Sequence, residues 1–416
     1  MGKITALIEN AGQVLTCASD APDLVGARAN TAVAISGSAI AAVGTLSEIA
    51  AAHDLSSAER IDAGGGLVMP GFVDCHTHLV FHKSRVEEYA QKVRGRSAAE
   101  IKAMGIPVGI TATARMMREA GKEQLAESAA ERLRHMLACG TTTVESKSGY
   151  GLNTATEIKM LEVNRLLGQR QPIEVVSTFL GAHEFPDDKG RDAYIDEILN
   201  EMIPEVARLG LAEFNDVYCD DGYYTVEESR TILERGREYG LDVKIHTDAY
   251  SHIGGSLLAA ELKAVSADHM NFTAPEEYAA LREAGVVSVV MPALDFAVGH
   301  SRPFDARSML DAGMTLALAT DMCPGCWLES MPFVIQLACR LYKFSPAEAI
   351  RAGTLHAARA LKRGDRLGSL EAGKQADIAV FPFERYEDMA YRLGRGRAQL
   401  VMKAGKIVFD DRLPRQ

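Results

Sequence analysis

Met69-Pro-Gly-Phe-Val-Asp-Cys-His-Thr-His-Leu-Val-Phe81 is the stretch around which the rest of the chain can be arranged. Pro70-Gly71 is turn chemistry, and the apolar run that opens at Phe72-Val73 reads as a buried strand over Phe72–His78. His76 and His78 stand at i, i+2. Side chains on a strand alternate faces, so both imidazoles leave from the same side, close enough to share one metal ion. Two histidines on one strand are half of a catalytic zinc-type site. An isolated H-x-H is short, and taken alone it more often marks ordinary histidines beside a turn. The Pro-Gly-Phe-Val-Asp context and the downstream sequence decide for the metal.

Outward from this motif, composition sets the bounds. The 416 residues suffice for one large and one smaller domain, and 47% hydrophobic with 24% charged residues is globular composition. A net charge of -11 and the lack of a basic run argue against nucleic acid. No apolar run has membrane-spanning length, and Met1-Gly-Lys-Ile-Thr-Ala-Leu has no signal-peptide core, which points to a cytoplasmic protein. Met1-Gly2 opens like a myristoylation motif, but residue 6 is Ala6. Seven scattered cysteines fit reduced thiols, and Cys323-Pro-Gly-Cys326 lacks the second pair of a zinc finger.

Before the motif, Ile4–Ile8, Thr31–Ile35 and Ala39–Val43 read as short strands, with Ser36-Gly-Ser38 as a hairpin turn and Gly64-Gly-Gly66 as a hinge. After it the rhythm becomes strand then helix. Further strands are expected at Thr141–Ser146, Glu174–Leu180, Phe214–Cys219, Asp242–His246, Ala264–His269, Val286–Met291 and Thr315–Thr320. Helical stripes fall at Gln124–Ala138, Thr156–Leu167, Ala193–Leu209, Val226–Tyr239, Pro275–Ala284 and Phe304–Ala312. This alternation predicts a (β/α)₈ TIM barrel over residues 71–365. A doubly wound sheet would not need polar groups at nearly every strand end, whereas here those ends carry His76, His78, Lys147, Tyr150, His183, Asp220, Asp221, His246, His269 and Asp321. The tail returns to strands, with a hairpin at Gln399–Phe409 turning at Ala404-Gly405. Residues 1–70 and 366–416 are expected to pack together as one small composite β-sandwich.

His246, His269 and Asp321 each end a predicted strand, where a lone His or Asp is usually a cap. Three such ends converging on the rim that holds His76 and His78 point to a metal centre. With Pro-Gly-Phe-Val-Asp-x-His-x-His and Gly-x-Leu-x-x-Gly-Lys-x-Ala-Asp near the C-terminus, the whole chain resembles the amidohydrolase superfamily. That resemblance implies a barrel with a composite sandwich and hydrolysis by metal-activated water. Binuclear members often bridge their metals with a carboxylated lysine at the fourth strand end; Phe214-Asn-Asp-Val-Tyr-Cys-Asp220 has none. The expectation is therefore one metal ion, Zn or Fe, held by His76, His78, His246 and Asp321, with His269 nearby. Asp321 orients or deprotonates the water, and His269 shuttles the proton or polarises the electrophile.

Narrower patches resemble the superfamily branch that opens an imidazolone ring in histidine degradation. They are Phe81-His-Lys-Ser-Arg85, Glu145-Ser-Lys-Ser-Gly-Tyr-Gly-Leu152, Phe179-Leu-Gly-Ala-His183, Gly254-Gly255 with Ala264-Val-Ser-Ala-Asp-His269, and Asp321-x-x-Pro-Gly325. The resemblance implies a small-molecule substrate, 4-imidazolone-5-propanoate, a product N-formimidoyl-L-glutamate, and a homodimer. It also implies Arg85 on the propionate, Tyr150 on ring or carboxylate, His183 binding or polarising the ring carbonyl, and Cys323 and Gly325 beside them. Two positions depart from the pattern: Ala249 stands where relatives carry Glu or Gln, and Cys323 where they carry Asn. Tyr250, Ser251 or His252 are the residues that could substitute for the former, and the missing Glu also counts against a deaminase. The alternative is another cyclic-amide hydrolase or an aminohydrolase of the superfamily.

Overall fold

In the computed structural model, which describes residues 3–412, the strand Leu67–Pro70 belongs to a β-sandwich, and after Gly71 alone the chain enters a barrel. The barrel strands are β1 (Phe72–Asp74), β2 (Thr141–Lys147), β3 (Glu174–Ala182), β4 (Phe214–Cys219), β5 (Asp242–Thr247), β6 (Ser266–His269), β7 (Val287–Val290) and β8 (Thr315–Leu318). They pair in chain order, all parallel. Just past their ends β1 and β8 meet: the His78 N–H donates to Met322 O at 2.8 Å and the Asp321 N–H to His76 O at 3.1 Å. The expected eight-stranded barrel is the observed one.

Alternation along each strand sorts its residues. On β4, Asn215 turns outward and its amide donates to Ile232 O of the covering helix Val226–Glu238 at 2.8 Å, while Asp216 turns inward. The barrel interior is thereby layered. Val73, Val176, Phe214, Val287 and Ala317 belong to an apolar floor. Above it Glu145, Lys147, Asp216, Lys244 and Asp268, all fully buried, make a charged middle, and the histidines lie above that.

Several boundaries differ from the sequence expectation. Regular β1 stops at Asp74 and β8 at Leu318, so His76, His78 and Asp321 sit just beyond the strands, Asp321 with a left-handed φ of +50°. The stripe at 193–209 is split by a π turn, Ile198–Met202, between Arg191–Glu197 and Ile203–Leu209. Pro204 lacks the N–H that would continue the α ladder, and the ladder widens before it. Helices Val86–Lys92, Ala98–Ala103, Gly109–Glu119 and Met331–Tyr342 were not anticipated.

At the other end of the barrel, a four-stranded sheet (Ala39–Gly44, Ala32–Ser36, Ala6–Glu9, Glu59–Asp62) packs on a six-stranded one (Lys406–Asp410, Leu400–Lys403, Ile378–Phe381, Leu67–Pro70, Gln13–Leu15, Ala27–Arg28). Ile8, Val33, Val68, Ile378 and Leu400 share the core between them. Strands from both chain ends lie side by side in the larger sheet, where Ile378–Phe381 pairs with Leu67–Pro70. All seven cysteines are free thiols, and no described helix is long and apolar enough to cross a membrane. Met1 and Gly2 lie outside the described residues.

Candidate metal centre

His76 and His78 turn toward the barrel axis with ring centroids 5.4 Å apart, and the His246 ring lies 4.5 Å from the first and 5.7 Å from the second. One nitrogen from each of the three falls within 4.8 Å of the others. Asp321 Oδ1 is 3.7 Å from His76 Nε2 and 3.6 Å from His78 Nε2. His76 Nε2, His246 Nε2 and Asp321 Oδ1 are buried without a hydrogen-bond partner. Each such orphan costs roughly 1–3 kcal/mol, and three on neighbouring residues of one buried cluster ask for a shared cation. Burial holds the three imidazoles well below the usual histidine range, so they are neutral and able to act as ligands. Burial also pushes the Asp321 carboxyl well above the carboxylate range, a penalty that a cation here would offset. Three imidazoles and a carboxylate suit zinc or iron.

Below the donors, His76 Nδ1 donates to Asp268 Oδ2 at 2.6 Å, and His246 Nδ1 to Asp216 Oδ1 at 3.1 Å. These bonds place each ring proton on Nδ1 and leave the Nε2 lone pair facing the centre. Lys147 Nζ joins the two carboxylates, 2.7 Å from Asp216 and 3.3 Å from Asp268. Burial alone would lower its pKa, but Asp216, Glu145 and Asp268 raise it above the lysine range.

A cavity of about 260 Å³ opens above the donors and is lined by every predicted site residue except the deeper His76: Arg85, Tyr150, His183, His269, Cys323 and Gly325 among them. His183 Nδ1 donates to Gly149 O at 3.1 Å, and burial lowers the ring to about 4. Its Nε2 is therefore an acceptor, suited to a ring N–H more than to a carbonyl oxygen. Gly149 has φ +105°, and a Cβ there would come within 2.8 Å of that imidazole. The Arg85 guanidinium lies across Gly325, where a Cβ would stand 2.4 Å from Nη2. Its nearest carboxylate, Glu88, is 3.5 Å away and is bound at 2.6 Å by Lys92, leaving the fork available to an anion. Cys323, its thiol pushed up to about 12 by burial, is a neutral wall residue.

Strand alternation would turn Asp268 inward and His269 outward, yet His269 lines the cavity. Its φ of +84° leaves β geometry and folds the ring back over the rim. Of the residues around Ala249, only Tyr250 faces the cavity; Ser251 is bonded to Asp220, and His252 to Glu277 at 3.0 Å.

With the geometry in hand, comparison with known proteins is specific. The model of the amidohydrolase family matches residues 67–408. The chain is 45% identical over 387 residues to an imidazolonepropionase of Geobacillus thermodenitrificans, covering 92% of this chain and 91% of that one. It is 40% identical over 413 residues to an imidazolonepropionase of Halobacterium salinarum, covering 98% of each. The chain belongs to the amidohydrolase family. An adenosine deaminase from Xanthomonas campestris with bound zinc shares the amidohydrolase fold at TM-score 0.72 and 21% identity, covering 100% of this chain and 95% of that one.

What the sequence reading of this amidohydrolase missed lies one layer down: Asp216, Asp268, Glu145 and Lys244, together with Tyr218 and Tyr223 on the cavity wall. A signal existed for some of them. Lys244 is two residues before His246, and Glu145 two before Lys147, the period at which a strand returns to the same face.

Proposed function

We propose that the protein hydrolyses 4-imidazolone-5-propanoate to N-formimidoyl-L-glutamate, cleaving the C–N bond of the ring lactam. One observation carries the reading: the His76, His78 and His246 group, with Asp321 within 3.7 Å of the first two, lies under a small cavity beside an arginine whose Nη atoms no carboxylate among the described residues holds. The imidazolonepropionases to which the chain is similar support it. A bound zinc or iron ion supplies a nucleophile at neutral pH by lowering the pKa of water from about 15.7 to roughly 7.

The chain's own groups do the rest. Arg85 takes the propionate in a bidentate grip and sets the ring's distance from the donors. His183 Nε2 accepts a ring N–H, and the Tyr150 hydroxyl, on a ring 5.3 Å from that of His183, closes the same side. Asp321 takes the proton of the attacking water. His269, whose nitrogen lies within 4.8 Å of the Asp321 oxygen, carries a proton to the leaving nitrogen as the C–N bond breaks. Zinc or iron as the native ion, a homodimer and a cytoplasmic setting belong to the same reading.

Arg85→Ala is expected to raise KM for the imidazolone at least tenfold with metal content unchanged; an unaltered KM removes Arg85 from the pocket. Product analysis tests the reaction itself. Ring opening yields the formimino acid without ammonia, whereas ammonia as a direct product would make the enzyme an aminohydrolase.

A further inference from the structure

The charged layer beneath the donors is laid out like a second metal site. His76, Glu145 and Asp268 offer atoms within 4.8 Å of one another, and so do Asp216, His246 and Asp268. Between them stands an ammonium group: Lys147 Nζ is 2.7 Å from Asp216 Oδ2, 3.1 Å from Glu145 Oε2 and 3.3 Å from Asp268 Oδ2. Lys244 holds Glu145 from the other side at 2.7 Å and donates to Cys75 O at 3.2 Å. All five side chains are fully buried. Two ammonium groups thus face three carboxylates, and two of those carboxylates also back the imidazoles of His76 and His246.

Taking a lysine and its carboxylates out of water costs several kcal/mol per ion, so this layer is a poor way to stabilise a barrel whose floor is already apolar. Three carboxylates around one point is instead the surrounding of a hard cation. We propose that the Lys147 ammonium occupies the position of a second metal ion, and that it limits the centre to one. It neutralises and spaces Asp216 and Asp268, so that both stay acceptors for ring N–H groups and neither is drawn onto an ion. Lys147 is on this account a positioning residue. The inference rests on the metal-centre reading above.

Metal content per chain, measured after equilibration with excess zinc and gel filtration, tests it. The wild-type protein takes one zinc. Lys147→Met, which keeps an unbranched four-atom side chain and removes the ammonium, is expected to take two, the second bridging Asp216 and Asp268 in a crystal structure. Lys147→Met/Glu145→Gln, which preserves the net charge of the layer, is also expected to take two. A folded variant of either kind that still holds one ion overturns the proposal. So does failure of both to fold in excess zinc, since a divalent ion should then replace the lost ammonium. If the wild-type protein binds no zinc, it is the metal-centre reading that fails; if it binds two, the single-ion limit assigned to Lys147 is wrong.

Discussion

At the scale of the residue, the centre depends on which nitrogen of each histidine carries its proton. Asp216 settles that for His246 through an Nδ1 contact of 3.0 Å at a fully buried position. In Asp216→Asn the carboxamide can present its N–H₂ to the ring and favour the wrong tautomer. Affinity for zinc is expected to fall roughly 10–100-fold. Competition against a chelator measures this, and an unchanged affinity would show that His246 needs no such partner. His76 and His78 were legible because a two-residue spacing survives even where regular strand stops. His269 was found by position along the chain and not by facing, because its positive φ breaks the alternation that would have pointed it away. Asp216 was invisible as a partner of His246, since nothing in one strand states which residue of its neighbour lies opposite.

Among the elements, the segment after β1 joins His78 to Arg85 and is held from outside the barrel. Arg132, on the helix Lys122–Ala138, is buried and donates from Nε to Leu79 O at 3.0 Å and from Nη2 to Phe81 O at 2.9 Å. Its guanidinium lies 3.9 Å above the Phe81 ring, and Trp327, on the loop that also carries Cys323 and Gly325, meets Phe81 edge-on at 5.2 Å. One arginine therefore ties both loops that flank the substrate cavity. Arg132→Met leaves two carbonyls without donors and is expected to lose on the order of 3 kcal/mol in urea denaturation. Trp327 is the only tryptophan, so a changed emission of the folded variant would report the loosened loop directly. Unaltered stability and emission would mean that the helix packing alone holds the segment. The helical stripe was readable from its leucines, but Arg132 stood in it as one more charged residue whose burial the pattern does not reveal.

Across the whole molecule, the sandwich and the barrel are fastened at Glu174, the first residue of β3. Its carboxylate meets Arg366 at 2.6 Å, Lys403 at 3.2 Å and Arg363 at 3.3 Å, all from the C-terminal part of the chain. Burial would raise its pKa, but the Arg366 hydrogen bond and the charges of Lys403 and Arg366 bring it down to about 2. A carboxyl lowered on folding stabilises the fold fully above its unfolded pKa of about 4.5, and that stabilisation is lost as pH falls through about 2. Glu174→Gln is expected to cost on the order of 2 kcal/mol at neutral pH, after discount for partial exposure, and to flatten the stability curve between about pH 4.5 and 2. Denaturation at several pH values tests this; a parallel curve for the variant would remove Glu174 from the acid response.

Sequence alone determined that strands and helices alternate and that polar groups, His76, His78, His246 and Asp321 among them, gather at strand ends. Those are properties of spacing along the chain, and hydrophobic period with local turn chemistry expresses them residue by residue. Tertiary structure decided the rest: the Asp216–Lys147–Asp268 layer, the acceptor nitrogen of His183, the turned ring of His269 and the fork of Arg85 lying over Gly325. Each depends on the register between different strands or on a backbone angle, and these become defined only when the barrel closes and brings distant residues face to face.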